Sequence, residues 1–218
     1  MATCILNFFV IFKQAFLTIE LVRTFGIDEA YHGLIVSVPA LFQIIGAYVV
    51  GMLIDKAPKR TWIFIAFIFL SLSDFLMGPS RIFYFNGLSW LFFIGQAING
   101  TGTGMIYTPM LPEIIEAVYE KTELVEGEDE NLDAVLADKA SGLYFAFFSL
   151  GTITAPPMGS VVYSLVNEDW AYTCDVFGIA GAIFTVIYLV FNLLPDIKKE
   201  RESQKKMEDK ILASEIIQ

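Results

Sequence analysis

The sequence offers little of what most enzymes are built from. It holds one histidine, His32, and two cysteines, Cys4 and Cys174, in 218 residues. The cysteines lack metal-ligand spacing, and no His, Asp and Glu cluster lies within the apolar segments, so no metal and no cofactor is expected. A membrane serine protease needs a Gly-x-Ser-Gly nucleophile and a histidine base inside a span, and neither is present. Basic residues are scarce, 14 Lys and Arg against 24 Asp and Glu, and the positive footprint of a nucleic-acid binder is missing. The N-terminus lacks the basic stretch, short apolar core and small-residue cleavage site of a signal peptide.

What the sequence has instead is apolar surface. Hydrophobic residues make up 56% of the chain and charged ones only 17%, and the apolar residues are bunched into blocks. A bilayer core takes about 20 apolar residues per helix, and backbone polar groups in lipid must be satisfied within the chain, which favours helices. Six spans are expected, at Thr3–Val22, Leu34–Ile54, Thr61–Met77, Leu88–Thr108, Ser141–Val166 and Tyr172–Leu194, the fourth continuing past Pro109 and Pro112 as a projecting helix. The chain then divides into helices one to four over 1–118, an acidic loop over 119–139, helices five and six over 140–195, and a tail over 196–218. The loop combines low hydrophobicity with high charge and reads as mobile. The tail balances six acids with six bases and reads as a short amphipathic helix or as disordered. One set of span ends carries Lys56, Lys59, Arg60, Lys121, Lys139 and the tail's bases, and the other only Arg23 and Arg81. By the positive-inside rule the first set, with both termini, is cytoplasmic. Cys4 and Cys174 then fall near opposite faces, and no disulfide joins them. Trp62, Trp90 and Trp170 fall where interfacial aromatic anchors sit.

Ionisable groups within a span cost about 2.5–3.5 kcal/mol at a helix centre and usually face a cavity or a partner. Lys13 is mid-span, and Glu20, seven residues on, shares nearly the same helix face. With Gln14 beside them, this face reads as the lining of a solute path, with Glu20 a candidate cation or proton site. The competing reading puts Lys13 near the cytoplasmic surface and lets Glu20 snorkel outward. Gln43 and Tyr48 on the second span and Asn99 on the fourth are further lining candidates, though packing explains them as well. Asp74, near the outer end of the third span, reads as an interfacial residue that meets water, and His32 reads as solvated in a link.

Two runs carry more specific information. At the end of the second span stands Gly51-Met-Leu-Ile-Asp55-Lys56-Ala-Pro58-Lys59-Arg60. Gly51 allows close helix approach, Asp55 can pair at a neighbouring helix terminus, and Lys56, Lys59 and Arg60 hold the turn in the cytoplasm. This run resembles motif A of the major facilitator superfamily, Gly-x-Leu-x-Asp-Arg/Lys-x-Gly/Pro-Arg/Lys-Arg/Lys, which lies between the second and third helices of each six-helix half. The fifth span holds Gly151-Thr-Ile-Thr-Ala155-Pro156-Pro157-Met-Gly159. It is similar to the Gly-x-x-x-Gly-Pro-x-x-Gly pattern of antiporter-type facilitators, with Ala155 for a glycine; a kinked helix without a coupling role is the alternative. In the fourth span Gly100 and Gly104 form a small-xxx-small face for tight packing. Gln96 stands where first halves carry an arginine, and the run Tyr107-Thr-Pro-Met-Leu-Pro-Glu113 adds to a likeness with a second half.

The resemblance implies an all-α membrane protein, six helices forming one half of a facilitator fold, most like the vesicular-amine and drug:proton antiporter branch. It implies secondary transport of a small organic solute, with proton-coupled antiport of an organic cation as the specific form. The helices bearing Gly51 and Gly151 would then pack against a second six-helix half, on this chain's copy or another polypeptide, or the chain is a fragment of a longer protein. A half that transports nothing and serves as a membrane adaptor is the alternative. A channel would want a polar pore stripe, and the nearest candidate, Gly100 to Gly104, reads as packing.

Overall fold

The computed structural model describes residues 2–85, 90–122, 127 and 130–198. Among them are seven α-helices: α1 (Ala2–Ile11), α2 (Gln14–Arg23), α3 (His32–Leu53), α4 (Lys59–Met77), α5 (Trp90–Thr122), α6 (Glu130–Leu165) and α7 (Trp170–Tyr188). Helices α1 and α2 together make one membrane span, Thr3–Arg23, and four more are long and apolar enough to cross a bilayer: Glu29–Lys56, Lys59–Met77, Asn131–Leu165 and Trp170–Lys198. The sixth, α5, has its apolar run diluted by Gly, Thr, Asn and Gln. Its 33 residues make about 50 Å of helix at 1.5 Å per residue, well beyond the ~30 Å of a hydrocarbon core.

Local sequence explains the joints. Asp28 caps the short 3₁₀ turn leading into α3, its side chain accepting from Ala30 N at 3.0 Å. Asp169 does the same for α7, accepting from Tyr172 N at 3.1 Å. The chain turns between α6 and α7 through Asn167 and Glu168, both at φ near +57°, a region Asn adopts more readily than most residues.

Several boundaries depart from the sequence reading. The first span is interrupted at Phe12–Lys13 rather than continuous. Lys59 and Arg60 belong to the first turn of α4, whose N-cap is Pro58, after the 3₁₀ turn ends at Lys56 with extended Ala57 behind it. The acidic segment is helical at both ends, with α5 running to Thr122 and α6 starting at Glu130. Its second part, Asn-Leu-Asp-Ala-Val-Leu-Ala-Asp, is rich in good helix formers, with acids at a helix N-terminus where the dipole favours them. At the other end of the chain, the helix continues past Pro195 to Lys198 through a π-helical turn at Leu189–Leu193. The tail beyond Lys198 lies outside the described residues.

Helix α5 packs against both α3 and α4, α4 against α7, and α1 against α6. The α3–α5 crossing is very close: a Cβ on Gly100 or Gly104 would stand 2.1 Å from the carbonyl oxygens of Pro39 or Gln43, which bears out the packing role read for these glycines. Two apolar clusters fill the bundle. One, toward the Trp170 end, gathers Phe12, Phe16, Leu21, Met77, Phe92 and Phe177. The other, toward the Arg60 end, gathers Val50, Ile63, Phe67, Leu70, Ile106 and Tyr188. Along α4 and α5, polar residues separate the two clusters: Ser73 and Asp74 fall between Leu70 and Met77, and Gln96, Asn99 and Thr103 between Phe92 and Ile106. Helices α3 and α6 are the least covered of the five apolar spans. Their outward side chains include Leu41, Ile44, Tyr48, Ile153 and Leu165.

Candidate functional site

The polar level is organised by one ion pair. Lys13, at the break between α1 and α2, places Nζ 2.5 Å from Asp74 Oδ1 on α4, and the two side chains are 3% and 1% exposed. Asp74 is thus an interior residue, not an interfacial one that meets water. Its position three residues before the end of α4 suggested otherwise, but Trp170 closes that end, burying itself and donating Nε1 to Met77 O at 3.0 Å. Trp170 is accordingly an internal plug and not a belt anchor, whereas Trp90 is exposed. The α4–α5 contact adds a chain of polar bonds: Asn99 Nδ2 donates to Ser73 Oγ at 3.2 Å, and Thr103 Oγ1 to Asn99 O at 2.7 Å.

Beside the pair opens a cleft of about 150 Å³, lined by Lys13 and Gln14 from the first span, Gln43 from α3, and Gln96, Asn99 and Thr103 from α5. Four of the sequence-derived lining candidates, Lys13, Gln14, Gln43 and Asn99, therefore meet in one place. Tyr48 is exposed on the outer side of α3. Glu20 is not part of this lining. It is 1% exposed, does not snorkel, and accepts from Thr24 Oγ1 and Tyr163 OH, each at 2.5 Å. One helix face carries Lys13 and Glu20, but the first reaches α4 and the second α6. His32 is half-buried, with Nε2 3.3 Å from Ile27 O.

Gln96 went unread as a site residue, noticed only for the arginine it replaces. It is 2% exposed, and among the described residues its Nε2 has no hydrogen-bond partner. A buried amide without a partner costs about 1–3 kcal/mol. Asn7 also escaped the sequence reading. It is fully buried and donates Nδ2 to Phe148 O at 2.7 Å and to Thr152 Oγ1, while accepting from Tyr107 OH at 3.0 Å. The only advance signal was an uncharged amide inside an otherwise apolar turn.

The two glycine-bearing runs behave differently. A Cβ on Gly151 would lie 2.4 Å from Cys4 O, and one on Gly159 2.9 Å from Phe12 O. With Ala155 fully buried between them, this stripe seats α6 on the first span. Pro156 is half-buried, Pro157 faces outward, and α6 remains helical through both. Gly51, by contrast, is exposed, and a Cβ there would meet nothing within 4 Å. Asp55 and Lys56 are exposed on the 3₁₀ turn. Lys59 and Arg60 do more than hold a turn. Lys59 reaches Glu116 at 2.6 Å, and Arg60 reaches Glu113 at 2.5 Å and Asp196 at 2.7 Å, tying α4 to α5 and to the extension of α7. Thr3 lines the same cavity as Arg60 and Asp196, so both ends of the described chain lie at this end of the bundle. At the opposite end Arg81 pairs with Asp169 at 2.5 Å and Arg23 with Glu168 at 3.1 Å.

The family model described as Major Facilitator Superfamily matches residues 1–216. The chain belongs to this superfamily. It is a multi-pass integral membrane protein with half of the facilitator fold. It is similar to the MFS-type transporter SLC18B1 of Homo sapiens, with 26% identity over 196 residues that cover 89% of this chain and 41% of the relative. The Rattus norvegicus protein of that name is 24% identical over 180 residues, covering 79% and 38%, and the Mus musculus one 24% over 195 residues, covering 88% and 40%. The chain thus spans about two-fifths of the length of these relatives. No solved structure matches it. Membership in this superfamily points to a transporter and not to an enzyme.

Proposed function

We propose that this facilitator half takes part in secondary active transport of a small organic solute, as a proton-coupled antiporter of an organic cation, and that it works only with a second six-helix half. The observation that carries the reading is the buried Lys13–Asp74 pair beside a polar cleft at mid-bundle. Facilitators bind solute near the midplane, between two halves that rock against each other. A charged pair inside a span is costly to keep, and a cleft with amides from three spans is what a solute site requires. The need for a second half is supported by the open Gly51 and by the poorly covered faces of α3 and α6. The end bearing Lys56, Lys59 and Arg60 faces the cytoplasm in this reading, with both ends of the chain.

The test is uptake by proteoliposomes holding the native polypeptide that carries this sequence. Radiolabelled organic cations are compared with neutral and anionic solutes of similar size, after subtraction of protein-free vesicles. Saturable cation uptake that depends on an inside-acid gradient is the expected result. Uptake of neutral or anionic solutes alone would sink the organic-cation reading. Absence of any flux, with the protein bound to another carrier, would favour the adaptor.

A further inference from the structure

Lys13 lines the cleft, but Asp74 does not. Lys13 borders the cavity, and its ammonium holds the carboxylate. From this arrangement we infer that Lys13 is a tethered competitor: a primary alkylammonium entering the cleft takes Asp74 from it, and Lys13 gives up one proton as it is displaced. The inference rests on the cleft being the solute site and adds how one proton is exchanged for one solute there.

The donor and acceptor count fits such a guest. A primary ammonium carries three N–H donors. Asp74 supplies a carboxylate. Asn99 donates through Nδ2 to Ser73 and keeps Oδ1 to accept. Gln96 has a buried amide end with no partner among the described residues, and a half-turn of that amide presents its oxygen. The part of the cleft bordered by this half has the volume of about five waters at ~30 Å³ each, room for a short alkyl chain.

The charges that border the cleft favour the exchange. Asp74 is the carboxylate that meets Lys13 from α4. Cys174 and Asp175 on α7 and Glu20 on α2 are the other titratable groups nearby. Asp175 Oδ2 accepts from Arg81 N at 3.2 Å while its Oδ1 has no partner among the described residues, and Glu20 accepts from Thr24 and Tyr163. The elements that close the cleft from the other sides, α3 and α5, present only neutral Gln43, Gln96, Asn99 and Thr103. Neither Asp175 nor Glu20 lines the cleft, so Asp74 is the carboxylate positioned to balance a cation there, and a second cation beside Lys13 is disfavoured. Before binding, the Lys13 ammonium is paired with Asp74. Afterwards the solute ammonium is paired with Asp74, Lys13 is a neutral amine, and one proton has passed to water in the cleft. No bond other than N–H breaks, and no other reactant is needed.

The test is calorimetric titration of the native polypeptide in detergent with n-butylammonium chloride, in two buffers of different ionisation enthalpy, with tetramethylammonium as the control lacking N–H donors. The expected result is about one proton released per amine bound, affinity rising about tenfold per pH unit while free Lys13 is protonated, and no tetramethylammonium binding. At a pH where Asp74 is ionised, Lys13→Met should bind butylammonium at least as tightly as the native protein and release no proton; at lower pH the uncompensated buried carboxyl takes up a proton that the amine must displace. Should that variant fail to fold, Lys13→Arg keeps the pair with a group that does not deprotonate, and it should lose butylammonium binding at every pH. Binding to the native protein without proton release, or native affinity in Lys13→Arg, overturns the inference and leaves the carrier reading standing. No butylammonium binding to either native protein or Lys13→Met overturns it too, and the flux panel then decides the carrier reading separately.

Discussion

Arg60 Nε donates to Glu113 Oε1 at 2.5 Å although the two residues stand 53 positions apart, and its Nη1 donates to Asp196 Oδ1 at 2.7 Å. Three helical elements are held by one planar guanidinium, a geometry that an ammonium does not reproduce. Arg60→Ala is therefore expected to lower stability by about 1–3 kcal/mol, with Arg60→Lys recovering only part of it. Thermal unfolding of the detergent-solubilised protein measures both. Equal stability of native and Ala variants would mean that the three elements hold without the arginine.

The interior pair should behave differently when broken from one side than when removed whole. Asp74→Asn or Lys13→Met alone leaves a buried charge uncompensated, at an expected cost of about 3–5 kcal/mol. The double variant removes both charges and should lie within about 1 kcal/mol of the native protein. A double-mutant cycle of unfolding midpoints reads the difference, and additive effects would show that the pair is not coupled.

The glycines separate fold from assembly. Gly104→Val puts a branched side chain where even a Cβ is 2.1 Å from Gln43 O, and loss of about 3 kcal/mol or of folded protein is expected, visible as aggregation in size-exclusion chromatography. Gly51→Val adds bulk where nothing stands within 4 Å. It should leave the size-exclusion profile unchanged while lowering flux, if that face meets a second half. Unchanged flux in a folded Gly51→Val protein would remove Gly51 from the contact.

Glu20 offers a choice between two roles. It accepts from Thr24 and from Tyr163, so Glu20→Gln should loosen the α2–α6 contact by about 1–3 kcal/mol and leave the number of protons exchanged per solute unchanged. Tyr163→Phe should show the same stability loss. If proton coupling disappeared in Glu20→Gln with stability intact, Glu20 would be the coupling carboxylate.

That the chain is built of apolar, membrane-length helices was legible because hydropathy and length are local quantities. Lys13, Gln14, Gln43 and Asn99 were readable because polar groups in lipid-length apolar runs stand out. Asp74 was misread because distance from a span end says nothing of what covers that end, and the cover is Trp170, 96 positions on. Glu20 and Lys13 were assigned one role because periodicity gives the face of a helix and not its partner. Gln96 and Asn7 carry no charge, and a neutral amide in an apolar helix gives almost no signal until its neighbours are known. The helix from Glu130 was hidden because net charge was weighed above the Leu and Ala content of the same residues.

The break at Phe12–Lys13 has a mechanical consequence. Its two sides are fastened separately: α1 through Asn7 to α5 and α6, and α2 through Glu20 and Arg23 to the far end of α6 and the turn after it. A change of tilt between these two segments has its pivot at Lys13, and Lys13 is also the residue that holds the charge. The residue at the joint is thus also the one that pairs with Asp74, so any change of tilt between α1 and α2 would shift the ammonium against its carboxylate.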